Sequence, residues 1–265
     1  VARYKSIVAY DGTAYRGFQR QTEGTPTVQG SLEAGLADIG WQGESLLAAG
    51  RTDAGVHAAG QVIAFDLDWD HPDEALTAAL NSRLPGDIAI WHTQQAEPGF
   101  HPRFDARLRR YRYRLIVRPT RDPLRERYAW RVWTAPELSL MQPLAAALAG
   151  SHDFAAFGQA PISGGHTVRT VHQVAWRRHG DELLFEIAAD AFLQHMVRRL
   201  VAASLAVGSG RVDLAEVEAL IDRPDLRWEG RLAPPQGLCL MEVRYGGERT
   251  DVSVSKGSQS APAEI

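Results

Sequence analysis

The sequence predicts an α+β protein of two halves, each an antiparallel sheet with helices on one face. Three observations predict it. Apolar residues recur in some segments with a period of two and in others with a period of about 3.6. In the first half these segments run β-α-β-β-α-β, the ferredoxin-like or split β-α-β order. The second half repeats the same grammar, as strand, helix, hairpin, helix and strand. At 265 residues the chain exceeds the usual single-domain size, so two units of roughly 100 to 150 residues fit it. We place them at 1–105 and 106–245, leaving 246–265 as a tail.

The elements follow in order. Tyr4 to Tyr10 alternates as a strand and Thr27 to Ile39 carries a helical stripe. Ser45 to Leu47 and Gln61 to Leu67 read as strands flanking the loop Gly50 to Gly60. Pro72 to Leu84 reads as a helix, and Ile88 to Thr93 closes the half as a strand. Beyond the junction near Arg103 to Arg110, Arg110 to Val117 alternates as a strand and Pro136 to Leu148 is helical. His172 to Arg178 and Glu182 to Ala188 form a hairpin across His179-Gly180-Asp181, a turn that glycine favours. Helices over about Phe192 to Val207 and Leu214 to Ile221 precede a last strand, Cys239 to Tyr245. Gly158 to His166 reads as a flexible loop, and 246–265 holds too few large apolar groups to offset the entropy of ordering.

Composition narrows the function class. With 45% hydrophobic and 23% charged residues the chain is neither collagen-like, mucin-like nor wholly disordered. No stretch approaches the ~20 apolar residues of a membrane span, and Val1 to Lys5 lacks the apolar core of a signal peptide. A cytoplasmic location is the expectation. The one cysteine, Cys239, lies in an apolar run and reads as a small buried hydrophobe. The nine histidines lack metal-ligand spacing, and no phosphate-cradling glycine motif follows a strand, so neither metal nor nucleotide cofactor is expected.

Net charge is only −3, but its distribution is uneven. Arg103 to Arg131 contains eleven arginines against three carboxylates, a local excess of eight positive charges. Such a stripe is the footprint of a nucleic-acid groove, and arginine suits bidentate phosphate contact. In Arg110 to Leu115 the strand period puts Tyr111 and Tyr113 on one face and arginines on the other. Those tyrosines either fill core or offer a base a stacking surface. In Gly50 to Ala58, glycines shoulder Asp53; the aspartate either caps a turn or is presented as a carboxylate on a functional loop. His57 is open to a packing or capping reading. Arg198 and Arg199 project from a helix whose other side is apolar, and either solvent or a cleft can receive them.

Several blocks, in order, give these residues a family resemblance. Tyr10-Asp11-Gly12-Thr13-Ala14-Tyr15-Arg16-Gly17-Phe18-Gln19, the Gly50 to Ala58 loop and Phe100-His101-Pro102-Arg103-Phe104-Asp105-Ala106 come first. Arg109 to Tyr113, His152-Asp153-Phe154, Ala191 to Arg198 and Gly237 to Leu240 follow. From about Tyr4 to Tyr245 the chain resembles the tRNA pseudouridine synthase A family, with Phe18 in place of the family's usual Trp and Pro102 in place of a small residue. The resemblance implies the pseudouridine synthase fold and cofactor-free isomerisation of uridine in the tRNA anticodon stem-loop, at positions 38 to 40 in tRNA numbering. It implies a homodimer in which one tRNA spans both subunits. It implies that Asp53 is the catalytic aspartate, Tyr111 the active-site tyrosine and Arg198 the aspartate's basic partner.

We accordingly take Tyr111, Arg198 and Arg51 as substrate-binding, and Arg103, Arg109, Arg110 and Arg112 as RNA-binding. In the reaction the N1–C1′ bond breaks, the uracil turns, and C5 bonds to C1′. Asp53 would act as nucleophile or as base on the ribose. Tyr111 would stack on the base and help to remove the C5 proton. Two other classes fit the same residues: a non-catalytic RNA-binding or chaperone protein, and an aspartate-dependent RNA hydrolase or glycosidase.

Overall fold

The computed structural model describes residues 1–160, 162 and 164–246. Residues 247–265 of the expected tail, and Pro161 and Ser163 of the expected flexible loop, lie outside the described residues.

Among the described residues ten strands join into one mixed, mostly antiparallel sheet. The first half contributes β1 (Ala2–Tyr10), β2 (Leu47–Ala48), β3 (His57–Leu67) and β4 (Ile88–Gln95). The second contributes β5 (Ala106–Val117), β6 (Trp130–Val132), β7 (Gly150–Asp153), β8 (Val168–His179), β9 (Glu182–Ala189) and β10 (Leu238–Tyr245). The order across the sheet is β4-β1-β3-β10-β5-β9-β8-β7, with β2 beside β3 and β6 beside β5. In β1 the alternation predicted from sequence buries Tyr4, Ser6, Val8 and Tyr10.

The two halves meet through β10. It runs antiparallel to β5 and parallel to β3, pairing Cys239 with His57 and Leu240 with Ala58. Gly60 permits that approach, since a Cβ there would lie 2.5 Å from the Met241 carbonyl oxygen. The β8–β9 hairpin pairs His179 with Glu182 across Gly180, whose φ is +60°, the positive φ that two-residue hairpin loops need.

Helices α1 (Val28–Ala37) and α2 (Asp73–Asn81) serve the first half, and α3 (Leu138–Ala147), α4 (Met196–Gly208) and α5 (Leu214–Glu218) the second. Thr27 caps α1 by accepting from the Gly30 N–H, and Asp73 and Glu74 place negative charge in the first turn of α2, where the helix dipole favours it. Asn81, at the end of α2, exchanges hydrogen bonds with the Ile90 N–H and C=O and so pins the helix to β4. Two apolar clusters result. One gathers Val8, Leu32, Leu36, Ile63 and Leu80; the other gathers Tyr113, Met141, Phe157, Trp176 and Leu200. Tyr111 packs against both.

Two sequence expectations are corrected, and two short strands are additional to them. The helix expected from about Phe192 begins at Met196, because Gln194 pairs with Gln159 in an isolated bridge and His195 takes a left-handed φ of +66°. The short strands β6 and β7, of three and four residues, carry too little periodicity to announce themselves. The strand expected at Ser45 to Leu47 forms instead at Leu47–Ala48, where β3 supplies partners.

Candidate active site

The loop before β3 is held by the glycine-rich segment after β1. Phe18 N–H donates to Thr52 O at 3.0 Å, Gly55 N–H to Tyr15 O at 3.3 Å, and Val56 N–H closes a turn onto Asp53 O at 3.1 Å. Gly17 has a φ of +103°, and a Cβ on it would meet Thr52 O at 3.0 Å. A Cβ on Gly12 would collide with the Val56 carbonyl. Below the loop, Tyr10 Oη lies 2.8 Å from Thr52 Oγ1 and Gln61 Nε2 donates to Gly50 O at 2.9 Å. These bonds across residues 49–56 leave the Asp53 carboxylate little freedom except at its tip.

The tip meets α4. Arg198 Nη1 donates to Asp53 Oδ2 at 2.8 Å while its Nε donates to Ala233 O at 2.7 Å. The guanidinium is thus oriented by one acceptor and presented to the other. Arg198 is 9% exposed, and a cation in the first turn of a helix opposes the helix dipole; the carboxylate at that same terminus compensates both penalties. His195 Nε2 stands 3.4 Å from the same Oδ2. Burial, together with Arg198 and Arg199, lowers the His195 pKa, while Asp53 opposes the shift. The imidazole is therefore neutral near pH 7.

These groups line a cleft of about 720 Å3 between the two halves. Tyr111, from β5, forms part of its wall, edge-on to Phe192 with ring centroids 5.1 Å apart. Burial first, and the Asp53 charge second among the groups that act in the same direction, push the Tyr111 hydroxyl well above its ordinary pKa, so it stays protonated at neutral pH. Among the described residues Asp53 is the sole carboxylate lining the cleft, beside Arg16, Arg51, Arg103, Arg109, Arg169 and Arg198.

The structure brings Asp53, Tyr111, Arg198, Arg51 and Arg103 to this one cleft. Arg109 also reaches it, but its guanidinium donates to the carbonyls of Arg103, Ala106, Ala49 and Asp190 and ties the wall together. Arg110 and Arg112 do not line the cleft. They project from the opposite face of β5, where Arg110 pairs with Glu242 at 2.7 Å and Arg112 with Glu186 at 2.7 Å. Arg114, Arg118, Arg125, Arg127 and Arg131 are also ion-paired. Much of the local charge excess is thereby balanced by acids from distant parts of the chain. Cys239 is half-buried, and burial pushes its thiol up to about 11, which keeps it protonated and unreactive. His57 is buried, its Nδ1 accepting from the Gly12 N–H at 3.1 Å, a packing and capping role.

His195, Arg16 and Arg169 were not singled out by sequence reasoning. His195 precedes α4 in a left-handed conformation, so helical spacing to Arg198 does not mark it. Nothing local marks Arg169, at the start of β8.

The geometry can be compared with known proteins. The family model described as tRNA pseudouridine synthase matches residues 7–105 and 144–246, segments that contain Asp53 and Arg198. The chain belongs to the tRNA pseudouridine synthase family. A "tRNA pseudouridine synthase A" of Myxococcus xanthus is 41% identical over 244 residues, covering 92% of this chain and 92% of that one. Proteins of the same name from Exiguobacterium sp. and Geobacter sp. are 38% and 39% identical, covering 92% and 91% of this chain and 98% of each relative. As a pseudouridine synthase the protein is an isomerase acting on tRNA. Among the described residues no helix is long and apolar enough to cross a membrane, and no cluster of three or more potential metal ligands forms.

Proposed function

We propose that this chain converts uridine to pseudouridine in the anticodon stem-loop of tRNA, with Asp53 as its catalytic residue. The observation that carries the reading is a carboxylate, the one acid among the described lining residues, oriented by a buried arginine in a cleft also lined by six arginines and by Phe104, Tyr111 and Phe192. Polyanionic RNA is drawn to the rim, and the extruded uridine reaches the one anionic group within.

Asp53 meets the ribose C1′, or takes a proton from the ribose, as the N1–C1′ bond breaks. Arg198 keeps the carboxylate aimed, its Nη1 donating to Asp53 Oδ2 at 2.8 Å. Tyr111, held as the neutral phenol, stacks on the freed uracil and limits its rotation. This protonation state favours the stacking role over proton removal from C5. Arg51 and Arg103, exposed on the rim, take the phosphates; Arg109 serves them indirectly by fixing the Arg103 carbonyl. Arg110 and Arg112, neutralised by Glu242 and Glu186 on the opposite face of β5, brace the sheet behind the cleft and do not contact the RNA. A second copy of the chain supplies the remaining RNA surface, in the cytoplasm where tRNA is processed.

Mapping pseudouridine in a tRNA transcript incubated with purified protein tests this. The expected product lies in the anticodon stem-loop. Pseudouridine elsewhere would overturn the site assignment, free uracil would show a glycosidase, and tight binding without product would show a binding protein.

A further inference from the structure

The turn between the two halves, Phe100 to Asp105, is fixed at nearly every main-chain group. The Phe100 carbonyl accepts from Arg3 Nη1 at 2.7 Å, and the His101 carbonyl from the Asp105 N–H at 3.1 Å. The Pro102 carbonyl accepts from Tyr245 Oη at 2.9 Å, and the Arg103 carbonyl from Arg109 Nη2 at 2.6 Å. On the donor side, the His101 N–H reaches Asp105 Oδ2 at 2.8 Å, and the N–H groups of Arg103 and Phe104 both point to His101 Nδ1, at 3.1 and 3.4 Å. Rigid as it is, this turn holds a phenyl ring out of the core: Phe104 is 74% exposed. Its ring rests against the His101 imidazole, with centroids 4.2 Å apart, and the Arg103 guanidinium lies 5.8 Å from its centroid. All three side chains line the cleft that holds Asp53 and Tyr111.

An exposed phenyl group costs solvation, and a loop that merely tolerated it would not be so thoroughly tied down. Trp91 and Trp133 are exposed too, but neither lines the cleft. A preorganised ring beside a cation at the mouth of a basic cleft has the two properties of a single-strand RNA platform, a π-face for a base and a charge for its phosphate. We propose that Phe104 is a nucleobase-stacking residue, taking a base that flanks the extruded uridine while Arg103 meets the adjoining phosphate. Unpairing a base leaves its neighbours with an exposed face, and Phe104 covers one such face. The inference rests on the reading above that the cleft receives an extruded tRNA uridine.

The test pairs Phe104→Ala with Phe104→Trp in the full chain, using a tRNA transcript carrying 2-aminopurine at one or the other nucleotide flanking the modified uridine. Wild type quenches the probe on one flank; Phe104→Ala does not, and lowers kcat/KM about tenfold, within the ~5- to 150-fold range expected for losing one base–aromatic stack. Phe104→Trp restores both to within about threefold. Because the ring is exposed, thermal stability is unchanged in either variant. Equal quenching and equal kcat/KM in Phe104→Ala would overturn the proposal, as would an altered oligomeric state, which would place the ring in a subunit contact. Quenching by wild type without pseudouridine would instead overturn the catalytic reading and leave the stacking site standing.

Discussion

At the scale of single residues, Asp53 and Arg198 are 145 positions apart, and no local pattern in the sequence couples them. The aspartate loop was legible as a loop because of its glycines, and the family resemblance supplied its role. What the sequence concealed was that Arg198 uses two arms, one on Asp53 and one on Ala233 O. Lysine has a single charged point in place of that planar fork. Arg198→Lys is expected to keep tRNA binding but lower kcat about tenfold or more, within the range seen when catalytic groups are misplaced; single-turnover rates check it. Tyr111→Phe should keep activity within about threefold if the ring acts by stacking, whereas Tyr111→Ala loses on the order of 5- to 150-fold. A loss in Tyr111→Phe as large as in Tyr111→Ala would assign the hydroxyl a proton-transfer role.

At the scale of elements, long alternating or helical segments were legible and short ones were not. β1, β5, β8 and β9 each run for eight or more residues, enough for a period to be read in part of each. β10 was legible as a strand, yet its position between β3 and β5 was not, because partner choice depends on contacts far apart in sequence. That position is what brings the two halves of the site together, and it depends on Gly60. Gly60→Ala forces a Cβ against the Met241 backbone, so a destabilisation of about 1–3 kcal/mol is expected, seen as a Tm lowered by roughly 2–4 °C per kcal/mol. An unchanged Tm would show that β10 does not need this approach. The start of α4 defeated the sequence reading for a related reason: His195 is strained into the left-handed region at the contact with Asp53, and strain of this kind gathers at functional sites.

At the scale of the whole molecule, the arginine stripe was visible in the sequence but its partners were not. Glu182, Glu186 and Glu242 lie on strands neighbouring β5 and pair with it only after folding. Arg103→Ala should lower the slope of log K against log salt for tRNA by about one, and Arg110→Ala, whose partner is Glu242, should change the slope much less. Protonation gives a second global signature. Burial lowers the pKa of His57 and of His195 from 6.5, so the unfolded chain takes up protons first and stability falls as pH drops through about 6.5. His152 is raised by its hydrogen bond to Asp222; its contribution is present below 6.5 and is lost as pH rises through its folded value. Melting temperature should therefore decline from about pH 7 to about pH 5.5, and His152→Ala should steepen the decline.

The most direct test measures binding and product together for Asp53→Asn, with a tRNA transcript and enzyme in excess. The variant should bind tRNA within about threefold of wild type and form pseudouridine at least a hundredfold more slowly, the lower end of what a positioned acid or base contributes. Pseudouridine formation at the wild-type rate would contradict the account, because among the described residues no other carboxylate lines the cleft.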